Sequence, residues 1–130
     1  MSRKLGLLIV LLMLTLSIIP TFAQDDVTIR YFTFSAAPDH LEELDAIIAE
    51  FEAQNEGITI EVATAPFDDY FTLLQADVVS GDAPDVFELN YENFVTYAAN
   101  GTLLDISDML SGDAPYYPRA LEAFQYDGVQ

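Results

Sequence analysis

The chain has 130 residues and sets 22 acidic side chains against four lysines and arginines, with one histidine and no cysteine. Its net charge of −18 opposes phosphate backbones and anionic lipid, so nucleic-acid and membrane-surface binding are not expected. The absence of cysteine excludes thiol catalysis, cysteine-bound zinc, disulfides and a thiol that could accept a lipid anchor.

The first residues carry a targeting pattern. Arg3 and Lys4 precede an uncharged apolar run, Leu5 to Ile19, which Pro20 breaks; Thr21-Phe22-Ala23 then supplies small residues at the −3 and −1 positions of a cleavage site. The run is shorter than the ~20 residues that span a bilayer. Residues 1–23 are therefore expected to be a signal peptide, leaving a product that starts at Gln24. All the acidic residues fall in that product, where Arg30 and Arg119 are the strong bases. The expected protein is exported, soluble in a periplasm-like or extracellular space, and monomeric.

Val27 to Phe34 is rich in β-branched and aromatic residues and predicts a strand. Asp39 to Glu42 has the spacing of a capping box. It opens a helix whose stripe is Leu41, Leu44, Ile47, Ile48 and Phe51 and which Gly57 stops. Ile58 to Ala63 predicts a second strand. Asp68 is the expected N-cap of a helix carrying Phe71, Leu74, Val78 and Val79 and closed by Gly81. Asp85 to Leu89 predicts a third strand, and Tyr91 to Asn100 a short helix stopped by Gly101. Leu103 to Leu110 suits a turn or short helix capped by Asp105 or Ser107, and Ser111 to Tyr117 a loop. Pro118 to Gln125 reads as a last helix with proline at its first position, and Asp127-Gly128 as a turn.

Strands alternating with helices predict right-handed crossovers and a parallel sheet. If the first strand lies between the second and third, a ligand crevice forms where the strand order reverses, beyond Phe34 and Leu89. The loops 34–40 and 90–93 would then face each other across it.

Read together, IIAEFEAQNEGITIEV, YFTLLQADVVSGDAPDVFEL and VTYAANGTLLDI resemble the N-terminal part of the extracellular solute-binding proteins of ABC importers. The similarity is to the mainly carbohydrate-binding family that includes maltose-binding protein. It rests on Phe51-Glu52, Ile60-Glu61-Val62, Gly81, Pro84-Asp85-Val86, Tyr97-Ala98, Gly101 and Leu103 in that order. The resemblance implies an α/β fold of the type II periplasmic-binding-protein kind. Residues 24–130 would form the N-terminal part of its first lobe, with the second lobe outside this sequence. It implies a small solute, a sugar or oligosaccharide, delivered to a membrane permease, and neither a cofactor nor an enzymatic activity.

Sugars present apolar C–H faces to aromatic rings and hydroxyls to amides and carboxylates. Carried onto this chain, the contact positions are Asn90, Tyr91, Glu92 and Asn93 after the third strand, Phe34 and Ser35 after the first, and Phe67, Asp69 and Tyr70 after the second. Each has a second reading. Asn90 suits an N-cap, and Glu92, Asn93 and Asp69 suit the start of a helix. Phe34, Tyr70 and Tyr91 suit packing. Two other functions share the composition: a sensory or structural domain of the same fold, and an acidic glycoside hydrolase pairing carboxylates such as Asp68 and Glu92.

Overall fold

The computed structural model describes residues 26–110 and 116–130; the expected signal peptide and most of the loop from Ser111 lie outside that range. Strand β1 (Val27–Thr33) is followed by α1 (Pro38–Gln54), β2 (Ile58–Thr64), α2 (Phe67–Ser80), β3 (Val86–Phe87) and α3 (Tyr91–Ala99). A 3₁₀ turn (Ser107–Met109) and a short helix α4 (Pro118–Ala123) complete the order. The sheet order is β2-β1-β3 and both pairings are parallel. The register runs from Val27 opposite Ile58 to Thr33 opposite Thr64, and sets Phe32 opposite Phe87. The first strand is thus central, as the crevice argument requires.

One face of the sheet carries the core. Phe32, Ala65, Tyr70 and Leu74 are buried, and Phe34, Phe71, Val78, Phe87, Leu89 and Tyr97 pack against them. Alternation explains the choice: Phe32 and Phe87 share a register position and therefore a face, on which α2 and α3 lay their apolar residues.

The predicted boundaries move where backbone chemistry outcompetes a side-chain signal. Helix α1 starts at Pro38, with Ala37 at the N-cap and no side-chain cap, so Asp39 and Glu42 form no capping box; the Asp39 carboxylate accepts instead from the His40 amide at 3.0 Å. Proline presets the helical φ and needs no amide partner, which draws the start forward. The helix ends at Gln54 with Asn55 as its C-cap, ahead of Gly57, which sits at φ 84° in the turn leading to β2. None of its side chains is fully buried, and Ile47, predicted to widen the stripe, is 66% exposed. Among the described residues the helix packs chiefly on β2, so only a narrow line of its surface is covered.

Helix α2 begins at Phe67 behind Pro66, whose carbonyl accepts from the Asp69 and Tyr70 amides, so Asp68 is not the cap. Asp68 and Asp69 fall in the first turn, where negative charge suits the helix dipole. Val79, expected to join the stripe, is 81% exposed. Gly81 ends the helix in the left-handed conformation, and the Asp82 amide returns to the Asp77 carbonyl at 2.9 Å, a Schellman closure.

Strand β3 shrinks from the predicted five residues to Val86–Phe87. At its start the Arg30 amide donates to the Asp85 carboxylate at 2.8 Å, so a side chain occupies the place of a ladder bond; at its end the Glu88 carbonyl faces the Tyr70 hydroxyl at 3.1 Å. The Arg30 guanidinium meets the Asp82 carboxylate at 3.1 Å and the carbonyls of Asp82 and Ala83. One arginine on the central strand therefore pins the whole turn that delivers β3. Further on, α4 has proline at its first position as expected but stops at Ala123. Asp127 and Gly128, both at positive φ, make a tight turn closed by an antiparallel bridge between Tyr126 and Val129.

Candidate functional site

The carboxyl ends of β1, β2 and β3 lie side by side, and every predicted contact residue follows one of them within a few positions. After β1, the Phe34 ring is half-buried and makes edge contacts with Phe67 (ring centres 5.2 Å apart) and Tyr70 (5.1 Å). After β2, Phe67 opens α2 and remains 54% exposed, its ring edge-on to Phe71 at 5.5 Å. These rings form a continuous aromatic wall with one exposed member. Asp69 is exposed in the first turn of α2.

Tyr70 lies beneath that wall. It is fully buried and stacks on Phe32 at 4.3 Å. Its hydroxyl accepts from the Glu88 amide (3.0 Å) and faces the Phe32 and Glu88 carbonyls at 2.9 and 3.1 Å. Burial pushes its phenol up to about 12, against a lowering by the backbone hydrogen bond at Glu88 and with the Glu88 charge adding to the rise. Its place is that of a structural tie between β1, β3 and α2, supporting the aromatic wall from below.

After β3, the Asn90 side chain caps α3. Its Oδ1 accepts from the Asn93 amide at 3.0 Å and from Asn93 Nδ2 at 2.8 Å. The cap fixes both carboxamides, and no donor meets the Asn93 Oδ1 among the described residues. Tyr91 is 61% exposed and stands edge-on to Phe124 of α4, 6.4 Å away. Glu92 is exposed in the first turn of α3. The nine predicted positions thus divide into an aromatic group (Phe34, Phe67, Tyr70), a carboxamide pair (Asn90, Asn93) and exposed members (Tyr91, Glu92, Asp69), with Ser35 at the end of β1.

Glu88 was not singled out in the sequence, and it ties Ser35 to Tyr31 and Tyr70. Its carboxylate accepts from the Tyr31 hydroxyl at 2.9 Å and from the Ser35 hydroxyl at 3.2 Å, and its amide also reaches the Phe32 carbonyl at 3.2 Å. Burial, then the hydrogen bond to Glu88 and its charge, raise the Tyr31 phenol above its usual range. The available signal was the lone charge inside DVFEL: with Phe87 pointing into the core, alternation sends Glu88 to the opposite face, beside Tyr31.

Two hollows flank this area. A cleft of about 240 Å³ between α2 and α3 is lined by Phe71, Gln75, Val78, Asn93, Thr96 and Tyr97 among others. A larger apolar groove of about 680 Å³ follows β3 and α3, with Pro84, Val86, Phe87, Phe94, Leu104 and Phe124 in its walls. It runs along the β3 side of the sheet and reaches the crevice at Leu89 and at Phe124, against which Tyr91 stands.

Comparison with known proteins places this arrangement. A solved ABC substrate-binding protein from Listeria monocytogenes, in complex with cycloalternan, superposes with a TM-score of 0.70 at 43% identity, over 82% of this chain and 28% of that one. An extracellular solute-binding protein of family 1 from Alicyclobacillus acidocaldarius gives 0.71 at 28% identity, over 82% and 27%. A multiple sugar-binding protein of Streptococcus mutans is 37% identical over 70 residues, which are 54% of this chain and 16% of the relative. The chain therefore spans less than a third of the length of these relatives, and its fold is part of the type II periplasmic-binding-protein architecture. The model of the family described as bacterial extracellular solute-binding protein matches residues 37–127, from the start of α1 to the final turn, and the chain belongs to that family.

Proposed function

We propose that this chain supplies part of the solute-binding crevice of an ABC importer, that its solute is a neutral sugar or oligosaccharide, and that the loaded protein hands it to a membrane permease. The observation that carries this reading is the pairing, at the carboxyl ends of one parallel sheet, of exposed aromatic rings (Phe67, Tyr91) with hydroxyl, carboxamide and carboxylate groups (Ser35, Asn93, Glu92, Asp69). Rings stack on sugar C–H faces while the polar groups exchange hydrogen bonds with hydroxyls. Relatives named for cycloalternan and for multiple sugars support the substrate class. The carboxylates Glu88 and Glu92 at the strand ends disfavour anionic sugars.

In this reading Asn90 presents Asn93, Phe34 backs Phe67, and Tyr70 holds both strands in place. The chain is exported by its first 23 residues and works as a monomer, with capture coupled to closure of two lobes. Calorimetric titration of the full gene product with maltose, raffinose, xylobiose and cycloalternan tests it. Saturable heat with one of these, weakened at least about tenfold by Tyr91→Ala, is the expected result; a folded protein giving no heat with any of them overturns the carbohydrate assignment. Amino-terminal sequencing of secreted material should begin at Gln24. Stimulation of a neighbouring permease's ATPase by the loaded protein tests delivery.

A further inference from the structure

We infer that Glu88 is a positioning residue of this crevice, whose carboxylate fixes the Ser35 hydroxyl and with it the loop that follows β1. Resting on the solute-binding reading for its functional consequence, the inference stands on geometry that is independent of it. Beyond Thr33 the chain leaves the ladder, and the loop is held locally by two bonds: the Ser35 amide to the Thr33 hydroxyl at 2.9 Å, and the Ala36 amide to the Phe34 carbonyl at 3.0 Å. Both stay within the loop and its own strand. The bond from the Ser35 hydroxyl to Glu88 Oε2 crosses to the residue that follows β3, so it fixes the loop after β1 to the segment after β3.

The holder is itself held. The Glu88 amide is shared between the Phe32 carbonyl and the Tyr70 hydroxyl, and its other carboxylate oxygen takes the Tyr31 hydroxyl at 2.9 Å. The carboxylate is thus oriented by β1, and its backbone by β1 and α2, before any solute arrives. Ordinary strand pairing between β1 and β3 covers only two residue positions, so this side-chain network is a substantial part of what joins the two loops bearing the contact residues. A carboxylate oxygen that accepts one proton retains a lone pair. Ser35 in turn, its proton committed to Glu88, presents its oxygen as an acceptor toward a solute hydroxyl.

The test uses the full gene product and four variants: Glu88→Ala, Glu88→Gln, Ser35→Ala and the Glu88→Ala/Ser35→Ala pair. Amide hydrogen exchange at Ser35 is expected to quicken about tenfold in Glu88→Ala. At Ile60, whose amide is held by Glu52 on the other edge of the sheet, it should be unchanged. Glu88→Gln keeps one acceptor and guards against a misfolded alanine variant; in it the Tyr31 phenol, followed by carbon NMR and assigned with Tyr31→Phe, titrates at lower pH than in the parent. With cycloalternan as probe, Glu88→Ala weakens binding about tenfold, and adding Ser35→Ala costs nothing more, because the two act as one unit. Unchanged Ser35 exchange with an unmoved Tyr31 titration overturns the inference, as do additive losses of affinity. If the parent binds no sugar, the solute reading fails, and the exchange measurement still decides whether Glu88 holds the loop.

Discussion

Tyr70 shows how one side chain serves both stability and site geometry. Its ring fills the core between Phe32, Phe34 and Phe71, and its hydroxyl is ringed by backbone groups of β1 and of the residue after β3. Tyr70→Phe keeps the ring and removes the hydroxyl that serves the Glu88 amide and carbonyl. It should cost about 1–3 kcal/mol of unfolding free energy, read from urea denaturation. The same residue sets an alkaline limit. Its folded phenol lies near 12 against an ordinary value of 10.0, and Tyr31 and Tyr97 shift the same way, Tyr97 through burial alone. A folded value raised above the unfolded one means that the stabilisation is complete below pH 10 and is lost as pH climbs from there through the folded value. Residues 24–130 contain no lysine or cysteine, so side-chain titration in this window belongs to the tyrosines. The urea midpoint should hold up to about pH 10 and fall between there and about pH 12, less steeply in Tyr70→Phe.

At the level of elements, the turn from Gly81 to Asp85 is where sequence and structure agree for a reason that alternation alone does not give. Gly81 is needed because the helix closure requires φ 80°, and a side chain there is strained even with open space around it. Gly81→Ala should cost about 1–2 kcal/mol. Asp85 and Asp82 are needed because Arg30 of the central strand binds both. That contact lies about fifty residues away in sequence, beyond any local pattern. Arg30→Ala removes an exposed ion pair of small worth together with the donors for two turn carbonyls, so a loss of about 1 kcal/mol is expected. It should appear alongside faster exchange in β3 and little change in β2. The order of elements, the Asn90 cap and Gly81 were legible because each rests on local chemistry; the central place of β1 entered only as a condition of the crevice argument, which the strand order meets. The length of β3, the starts of α1 and α2, the exposure of Ile47 and Val79, and the role of Glu88 were not. They depend on which side chain intercepts a ladder bond, where a proline sits, and which neighbours cover a helix face.

For the molecule as a whole, charge and burial pull in opposite directions. Residues 24–130 hold 22 carboxylates against two arginines, and Arg30 is committed to the turn before β3. Such an excess keeps chains apart in solution but destabilises the compact state through self-repulsion. The buried core is small, with five hydrophobic residues of the described chain largely out of water, and the groove along β3 leaves further apolar surface open. A protein in that position should respond strongly to screening. Raising sodium chloride from about 10 to 200 mM shortens the Debye length from roughly 30 to below 10 Å, so the thermal midpoint should rise by several degrees. Sodium sulfate at equal ionic strength should raise it further, because it also strengthens apolar burial. A dye that fluoresces in apolar grooves should bind residues 24–130 expressed alone, and Phe94→Asp and Leu104→Asp in the groove walls should reduce that signal. If salt leaves the midpoint unchanged, the repulsion is already relieved by counterions, and the acidic surface then acts on solubility without a cost in stability.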